Sequence, residues 1–218
     1  MGTQNLTEYY SRRASEYEAI FHRDDPVRQA EQRAIASATQ ELFHNRRVLE
    51  VACGTGFWTE KIADVAREIC AVDASAEVLA IAEAKGLPPD RVRFLRADAY
   101  ALEAVEGTFD SGLANFWFSH IPKARLGEFL GGFHRRLGVG AVVFLADNVF
   151  VPGIGGKLVT LPGSADTFKL RALADGSKHQ VLKNYYDAEQ LRQILAPRVA
   201  DLKIQIGQCF WQASYRVA

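Results

Sequence analysis

The sequence predicts an α/β domain whose mostly parallel sheet is covered by helices on both faces and finished by an antiparallel pair of strands. Three observations carry this. Between Arg47 and Asn148, short apolar runs alternate with stretches of helical periodicity, the pattern of repeated strand–helix units. The runs VLEV, ICAVD and VVFLAD are nearly continuous in apolar residues, as strands buried on both faces are. The chain closes with DLKIQIGQ and FWQASYRVA, which leave no room for a crossover helix, so this pair is antiparallel.

The first 45 residues are helical in pattern. LTEYYSRRASEYEAIF places Tyr10, Arg13, Ala14 and Tyr17 at i, i+3, i+4 and i+7. Asp24-Asp25-Pro26 opens a second helix that runs to Phe43, with the proline suited to a first turn. RRVLEVAC is the first strand and Phe57 to Arg67 the helix after it. EICAVDAS is the second strand, with Asp73 near its end, and AEVLAIAEAK is a helix stopped by Gly86 and two prolines. VRFLRADA and FDSGLANF are strands three and four; Lys123 to Leu137 is a helix ended by Gly138; GAVVFLADN is strand five. Beyond Asn148 the composition changes. VFVPGIGGKLVTLPG is rich in glycine and proline and reads as a loop, and Thr167 to Tyr185 reads as two strands about an Asp175-Gly176 turn. AEQLRQILAP is the last helix. Residues 1–218 are expected to form one domain: a helical segment 1–45, a core 46–148, an insertion 149–187 and a final helix and strand pair 188–218.

Composition narrows the function classes. Of 218 residues 48% are hydrophobic, enough for a full core, and 26 Lys plus Arg balance 26 Asp plus Glu. A net charge of zero gives no long-range attraction to nucleic acid or acidic membranes. There is no apolar run of membrane-spanning length and no signal-peptide core. Cys53, Cys70 and Cys209 are odd in number and lack metal-ligand spacing, as reduced thiols of a cytoplasmic protein do. No metal, no nucleic-acid partner and no membrane are expected, and oligomeric state is open between monomer and homodimer.

The chemistry begins at VLEVACGTGFWTEKIA, a glycine turn between a strand and a helix. A dinucleotide fingerprint needs a third glycine where this chain has Thr59, and a phosphate loop needs Gly-Lys-Ser/Thr, which is absent. No lysine or arginine lies between Val48 and Thr59 to meet a phosphate. The turn suits close backbone approach of a neutral or cationic ligand, with Glu50 nearby.

Glu50-Val51-Ala52-Cys53-Gly54-Thr55-Gly56 resembles motif I of the class I S-adenosylmethionine-dependent methyltransferases. The resemblance implies a Rossmann-like seven-stranded sheet and S-adenosylmethionine as methyl donor, released as S-adenosylhomocysteine. By the same resemblance Asp73, with Ala74 beside it, accepts the ribose hydroxyls. Asp98 and Ala99 lie near adenine, and Asn115 to Phe118 face the methyl group. Helices of 1–45 act as a lid in which Arg13 or Tyr17 meets the methionine carboxylate, over Trp58. Ala52 departs from the pattern, since many members carry glycine there.

Three places bear on the methyl acceptor. The segment NFWFSHIP puts Trp117 and His120 at the C-terminal edge of the sheet, where such folds bind ligands. His120 is a candidate base by position and intrinsic pKa; hydrogen bonding to substrate and capping of the next helix stay open beside it. Tyr10 belongs to an aromatic and basic helix stripe, open between a substrate contact and ordinary packing. In the hairpin after strand five, Arg171 and Lys183 are candidates for an anion clamp, as is Lys169. A tight turn at Asp175-Gly176 sets Arg171 opposite Gln180 and turns Lys183 to the other face; a one-residue bulge would bring the two onto one face. The Tyr-Tyr-x-Arg-Arg-Ala lid, the Ser-His-Ile-Pro turn and the Asp-Gly hairpin together resemble a subgroup of small bacterial methyltransferases that includes a phosphonate O-methyltransferase. The expectation is methyl transfer to a small molecule, at oxygen ahead of nitrogen and with anionic metabolites included. The alternatives are N-methylation of a small heterocycle or amine, a nicotinamide-dependent oxidoreductase, and a non-catalytic nucleoside-binding module.

Overall fold

The computed structural model describes residue 18 and residues 21–154, 156–172 and 178–218. Helix α1, Pro26–Phe43, leads into β1, Arg47–Val51. Helix α2, Phe57–Ile62, β2, Glu68–Asp73, α3, Ala76–Ala84, and β3, Val92–Arg96, follow. Strand β4, Ser111–Asn115, α4, Leu126–Leu137, and β5, Val142–Asn148, complete the alternation. Beyond it come β6, Leu158–Thr160, β7, Thr167–Ala172, β8, Lys178–Leu182, α5, Ala188–Leu195, β9, Val199–Ile206, and β10, Phe210–Val217.

Seven strands form one sheet in the order β3-β2-β1-β4-β5-β10-β9. The first five run parallel, and β10 pairs antiparallel with both β5 and β9. Successive residues of a strand serve opposite faces. Leu49, Val51, Cys70 and Val72 pack with α4 and α5, while Val48, Ile69 and Ala71 pack with α1, α2 and Leu79 of α3. Both faces are therefore apolar, which is why these strands lack an alternating pattern. At Gly112 a Cβ would come 2.5 Å from Leu137 and 2.6 Å from Phe133, so α4 seats against β4 at a distance only glycine permits.

Local chemistry sets the helix ends. The Asp25 side chain caps α1 by accepting from the Arg28 amide at 3.0 Å, with Pro26 in the first turn. Ser75 caps α3, and Asp187 with Gln190 forms a capping box on α5. Helix α2 ends at Ile62, short of the expected Arg67. Asn45 N–H takes the Val65 carbonyl and Arg67 N–H takes the Arg46 carbonyl, so the chain turns early to feed β2. The helix expected from Lys123 begins as a 3-10 turn, Lys123–Arg125, before α4.

The insertion differs from expectation in two ways. The stretch read as a loop contains β6, which pairs with β7 and makes a second, three-stranded sheet in the order β6-β7-β8. Three residues are too few to show a period. The register of β7 with β8 is also one residue away from that of a tight Asp-Gly turn: Arg171 lies opposite His179, not Gln180. The pairing of Ala172 with Lys178 makes the connection five residues long. The turn itself lies outside the described residues, as do Tyr10, Arg13 and Tyr17.

One carboxylate ties the first described helix to the terminal hairpin. Glu31 of α1 accepts the amides of Gln208, Cys209 and Phe210 at 2.7, 3.1 and 2.9 Å. Any side chain at Gly207 would meet that carboxylate at 2.5 Å. Replacing Glu31 by Ala is expected to cost about 2 kcal/mol, since charge-assisted bonds to three amides are lost at a site water can partly reach. Urea unfolding measures this, and a midpoint equal to wild type would remove the role.

Candidate active site

The glycine turn is built from left-handed backbone. Ala52, Gly54 and Gly56 have φ of 55, 57 and 75°. Only Ala52 carries a Cβ there, at a cost of about 1 kcal/mol. Gly56 caps α2, and a Cβ on it would press on Ala82 of α3 at 3.1 Å. The turn thus brings backbone amides to the mouth of β1, where no Cβ at Gly54 or Gly56 stands in the way.

Asp73 closes this turn from the end of β2. One carboxylate oxygen accepts Gly54 N–H at 2.9 Å and the other accepts Ser75 N–H at 2.9 Å. Burial raises its carboxyl above the ordinary value, against those two bonds and the Ala74 amide. Each oxygen keeps a second lone pair, so a pair of hydroxyls can still be received. Glu50 lies beneath, fully buried, with Thr59 donating to it at 2.6 Å. Thr59, the residue in the place of a third glycine, is thus the hydroxyl partner of the buried acid. Burial, together with the charge of Asp73, lifts Glu50 to about 8. Asp98 accepts the Tyr100 amide at 2.9 Å beside buried Ala99.

The β4 end is strained and aromatic. Phe116 has φ of 59°, rare for a bulky residue and characteristic of functional turns. Its ring stacks on Trp58 at 5.7 Å and meets Phe210 edge-on at 5.2 Å. Beside it Asn115 is buried, and among the described residues neither atom of its amide has a hydrogen-bond partner. The indole N–H groups of Trp58 and Trp117 likewise have no hydrogen-bond partner among the described residues. Buried polar groups are rarely left this way, and such orphans mark where a ligand completes the bonding. Phe21, stacked on Phe57 at 4.0 Å, covers the same corner. Glu18 is held over the turn by Thr55 at 3.0 Å and Lys85 at 2.6 Å.

On the other side of β4, His120 is buried in the turn before α4, with Nδ1 2.8 Å from the Leu182 carbonyl. A carbonyl only accepts, so Nδ1 carries the proton. Burial and the Lys183 charge push the ring down to about 3, so it is neutral at physiological pH and a weak base. Ser119 donates its amide to Asp147 at 2.8 Å. Lys183 donates to Asp147 at 2.9 Å and to the Ser119 hydroxyl at 2.5 Å. Burial opposes ionisation of Asp147, but Lys183, His120 and the Ser119 bonds outweigh it and hold the carboxyl below its usual value.

This corrects the expectation for the cap. Arg171 and Lys183 share a face, because Arg171 faces His179 while the Lys183 amide binds the Thr167 carbonyl. Lys183 is nevertheless already neutralised by Asp147, so a two-cation clamp is not what the geometry offers. Lys169 is on that face too, donating to the carbonyls of Ile154 and Gly156 at 3.0 and 2.8 Å and lying over the rings of Phe150 and Tyr185. Arg28, from the first turn of α1, stacks on Phe210 at 4.4 Å and donates to Asn148 at 3.3 Å. Among the described residues Arg28, Lys169 and Arg171 have no carboxylate in ion-pair contact. Sequence reasoning missed Asp147 and Arg28. Asp147 ends an apolar strand and Arg28 sits in an amphipathic helix, so neither carries a local signal.

Residues 48–140 match the sequence family described as "Methyltransferase domain". The fold around them is that of the class I enzymes of this type. Residues 48–140 are a methyltransferase domain. Solved structures similar over the whole chain include DhpI in complex with SAH, 27% identical with a TM-score of 0.75, covering 100% of this chain and 99% of that one. A DhpI–SAM–HEP complex is 26% identical with a TM-score of 0.75, covering 98% and 96%. The Burkholderia thailandensis 1,6-didemethyltoxoflavin-N1-methyltransferase shares the fold at 20% identity, TM-score 0.62, over 97% and 89%. Among curated proteins, the demethylmenaquinone methyltransferase of Bacillus licheniformis is 35% identical over 77 residues, 34% of this chain and 33% of that protein. That of Renibacterium salmoninarum is 34% identical over 87 residues, 39% and 35%. The chain thus covers about a third of the length of these curated relatives. Among the described residues no helix is long and apolar enough to cross a membrane, and no group of His, Cys, Asp and Glu could hold a metal ion.

The raised carboxyl of Glu50 gives a pH prediction. Between the unfolded value of about 4.3 and the folded value of about 8, the native state holds a proton the unfolded chain has lost. Glu50's contribution to stability is therefore complete below the unfolded value and is lost as pH rises through the folded one. The melting temperature of wild type relative to Glu50→Gln should fall from pH 5 to pH 8. A flat difference over that range would contradict it.

Proposed function

We propose that this protein transfers a methyl group from S-adenosylmethionine to a small, anionic acceptor, at oxygen. The donor half of this reading follows from the match of residues 48–140 and from a cleft whose groups fit the nucleoside. Asp73 presents both carboxylate oxygens at the mouth of the glycine turn, and the orphaned amide of Asn115 awaits a polar partner. The observation that carries the acceptor half is the set of three cations, Arg28, Lys169 and Arg171, whose charges all reach Lys183 and which have no carboxylate ion-pair partner among the described residues.

When bound, S-adenosylmethionine supplies a methyl carbon on a sulfonium, taken by the acceptor oxygen in a displacement that leaves the C–S electron pair on sulfur. The protein's residues mainly align and shield. Asp73 and the glycine turn hold the nucleoside end. Phe116, Trp58 and Phe21 exclude water from the corner between the two halves. Arg171, whose charge reaches His120 and Tyr185, and Lys169 hold the acceptor's negative group. A neutral ring at His120 is too weak a base to strip an alcohol, and an acceptor arriving as an oxyanion needs no base. His120 then serves as a hydrogen-bond acceptor that orients the substrate.

Incubation with S-adenosylmethionine labelled in the methyl group and a panel of small phosphonates, carboxylates, alcohols and amines tests this by mass spectrometry. Label in phosphonate or carboxylate esters is expected; label in amines alone would overturn the acceptor class. Asp73→Ala should weaken S-adenosylhomocysteine binding at least tenfold, about 1.4 kcal/mol, in calorimetric titration; unchanged affinity removes the cleft assignment. His120→Ala should lower turnover and leave that affinity in place, and equal rates would make the histidine structural.

A further inference from the structure

We propose that Asp147 is a positioning residue for His120: through Ser119 and Lys183 it fixes the imidazole in a single neutral tautomer, with the proton on Nδ1 and the lone pair on Nε2. Two routes converge on the ring. In the first, Asp147 Oδ2 accepts the Ser119 amide at 2.8 Å, which sets the backbone of the residue just before His120. In the second, Asp147 Oδ1 accepts Lys183 Nζ at 2.9 Å, and Lys183 directly follows Leu182, whose carbonyl meets His120 Nδ1 at 2.8 Å. One carboxylate thus places both the ring's own backbone and the partner of its Nδ1.

The routes are cross-linked. Lys183 Nζ also donates to the Ser119 hydroxyl, the Asn184 amide donates to the Ser119 carbonyl at 2.8 Å, and the Asn184 side chain donates to the Ile121 carbonyl at 3.1 Å. The turn bearing His120 is therefore joined to β8 of the small sheet as firmly as to the large one. Every group in this set is buried, so a broken bond is not replaced by water. Among the described residues the charges that act on His120 include Lys183, just after β8, Arg171 of β7 and Asp147 of β5, two cations against one anion. That balance and burial both keep the ring neutral. With a neutral ring and a committed Nδ1, Nε2 can only accept. It suits an acceptor's O–H or N–H, while the cationic side chains receive its charge. What Nε2 meets rests on the methyltransferase reading; the locked tautomer does not.

The test is nitrogen-15 NMR of the His120 ring in the full chain, with S-adenosylhomocysteine affinity measured beside it. Wild type should show the Nδ1–H tautomer alone and no titration from pH 8 to pH 4.5. Lys183→Met removes one cation and leaves the anion, so the midpoint should rise by about 2–3 pH units, into the measured range. Asp147→Asn should give a mixture of Nδ1–H and Nε2–H rings. If that variant does not fold, Asp147→Asn with Lys183→Met exchanges the ion pair for a neutral pair, which is tolerated in buried sites, and should show the same mixture. A lone Nδ1–H ring in the folded Asp147 variant, or an unchanged titration in Lys183→Met, overturns the proposal. Absence of S-adenosylhomocysteine binding by wild type would sink the donor assignment and leave the ring result standing.

Discussion

A buried ion pair between Lys183 and Asp147 is the joint on which the two halves of this molecule depend. Both side chains are buried, and their 2.9 Å contact spans from β5 of the large sheet to the residue that follows β8 of the small one. Removing one partner of such a pair leaves a charge stranded in low dielectric, typically at roughly 3–5 kcal/mol. The pair also holds the Ser119–His120 turn, so the geometry of that turn is set by electrostatics rather than by apolar packing alone.

The donor side rests on different physics. Its rigidity comes from a parallel sheet with apolar residues on both faces and from glycines that let α2 and α3 approach. Its acidic floor, Glu50, is kept uncharged by burial and tied to Thr59. A neutral acid under a cleft for a cationic donor can take up negative charge when that donor arrives, and a carboxylate fixed in the ionised state would have to be desolvated throughout.

Much of this was legible in the chain. The alternation of strands and helices, the antiparallel end and the Asp25-Pro26 helix start are local patterns, written in consecutive residues. The glycine turn and Asp73 are also readable, because spacing along two adjacent strands brings them together. The acceptor side resists such reading. Nothing in VVFLADN marks Asp147 as charged in function, since its partner lies 36 residues on. Lys183 looks like a solvated lysine of a hairpin until the fold buries it. The register of β7 with β8 turns on the length of one connection, and a single residue's change moves every side chain across the sheet.

The attachment of the His120 turn to the small sheet has a consequence for how this scaffold can change over generations. Substitutions around Phe150, Lys169 and Arg171 can reshape the small sheet's face without disturbing the large sheet that carries the glycine turn. Such drift is bounded at one point. Any variant that moves β8 carries the histidine with it, so the small sheet and the His120 turn are inherited together as one mechanical module while the glycine turn stays constant.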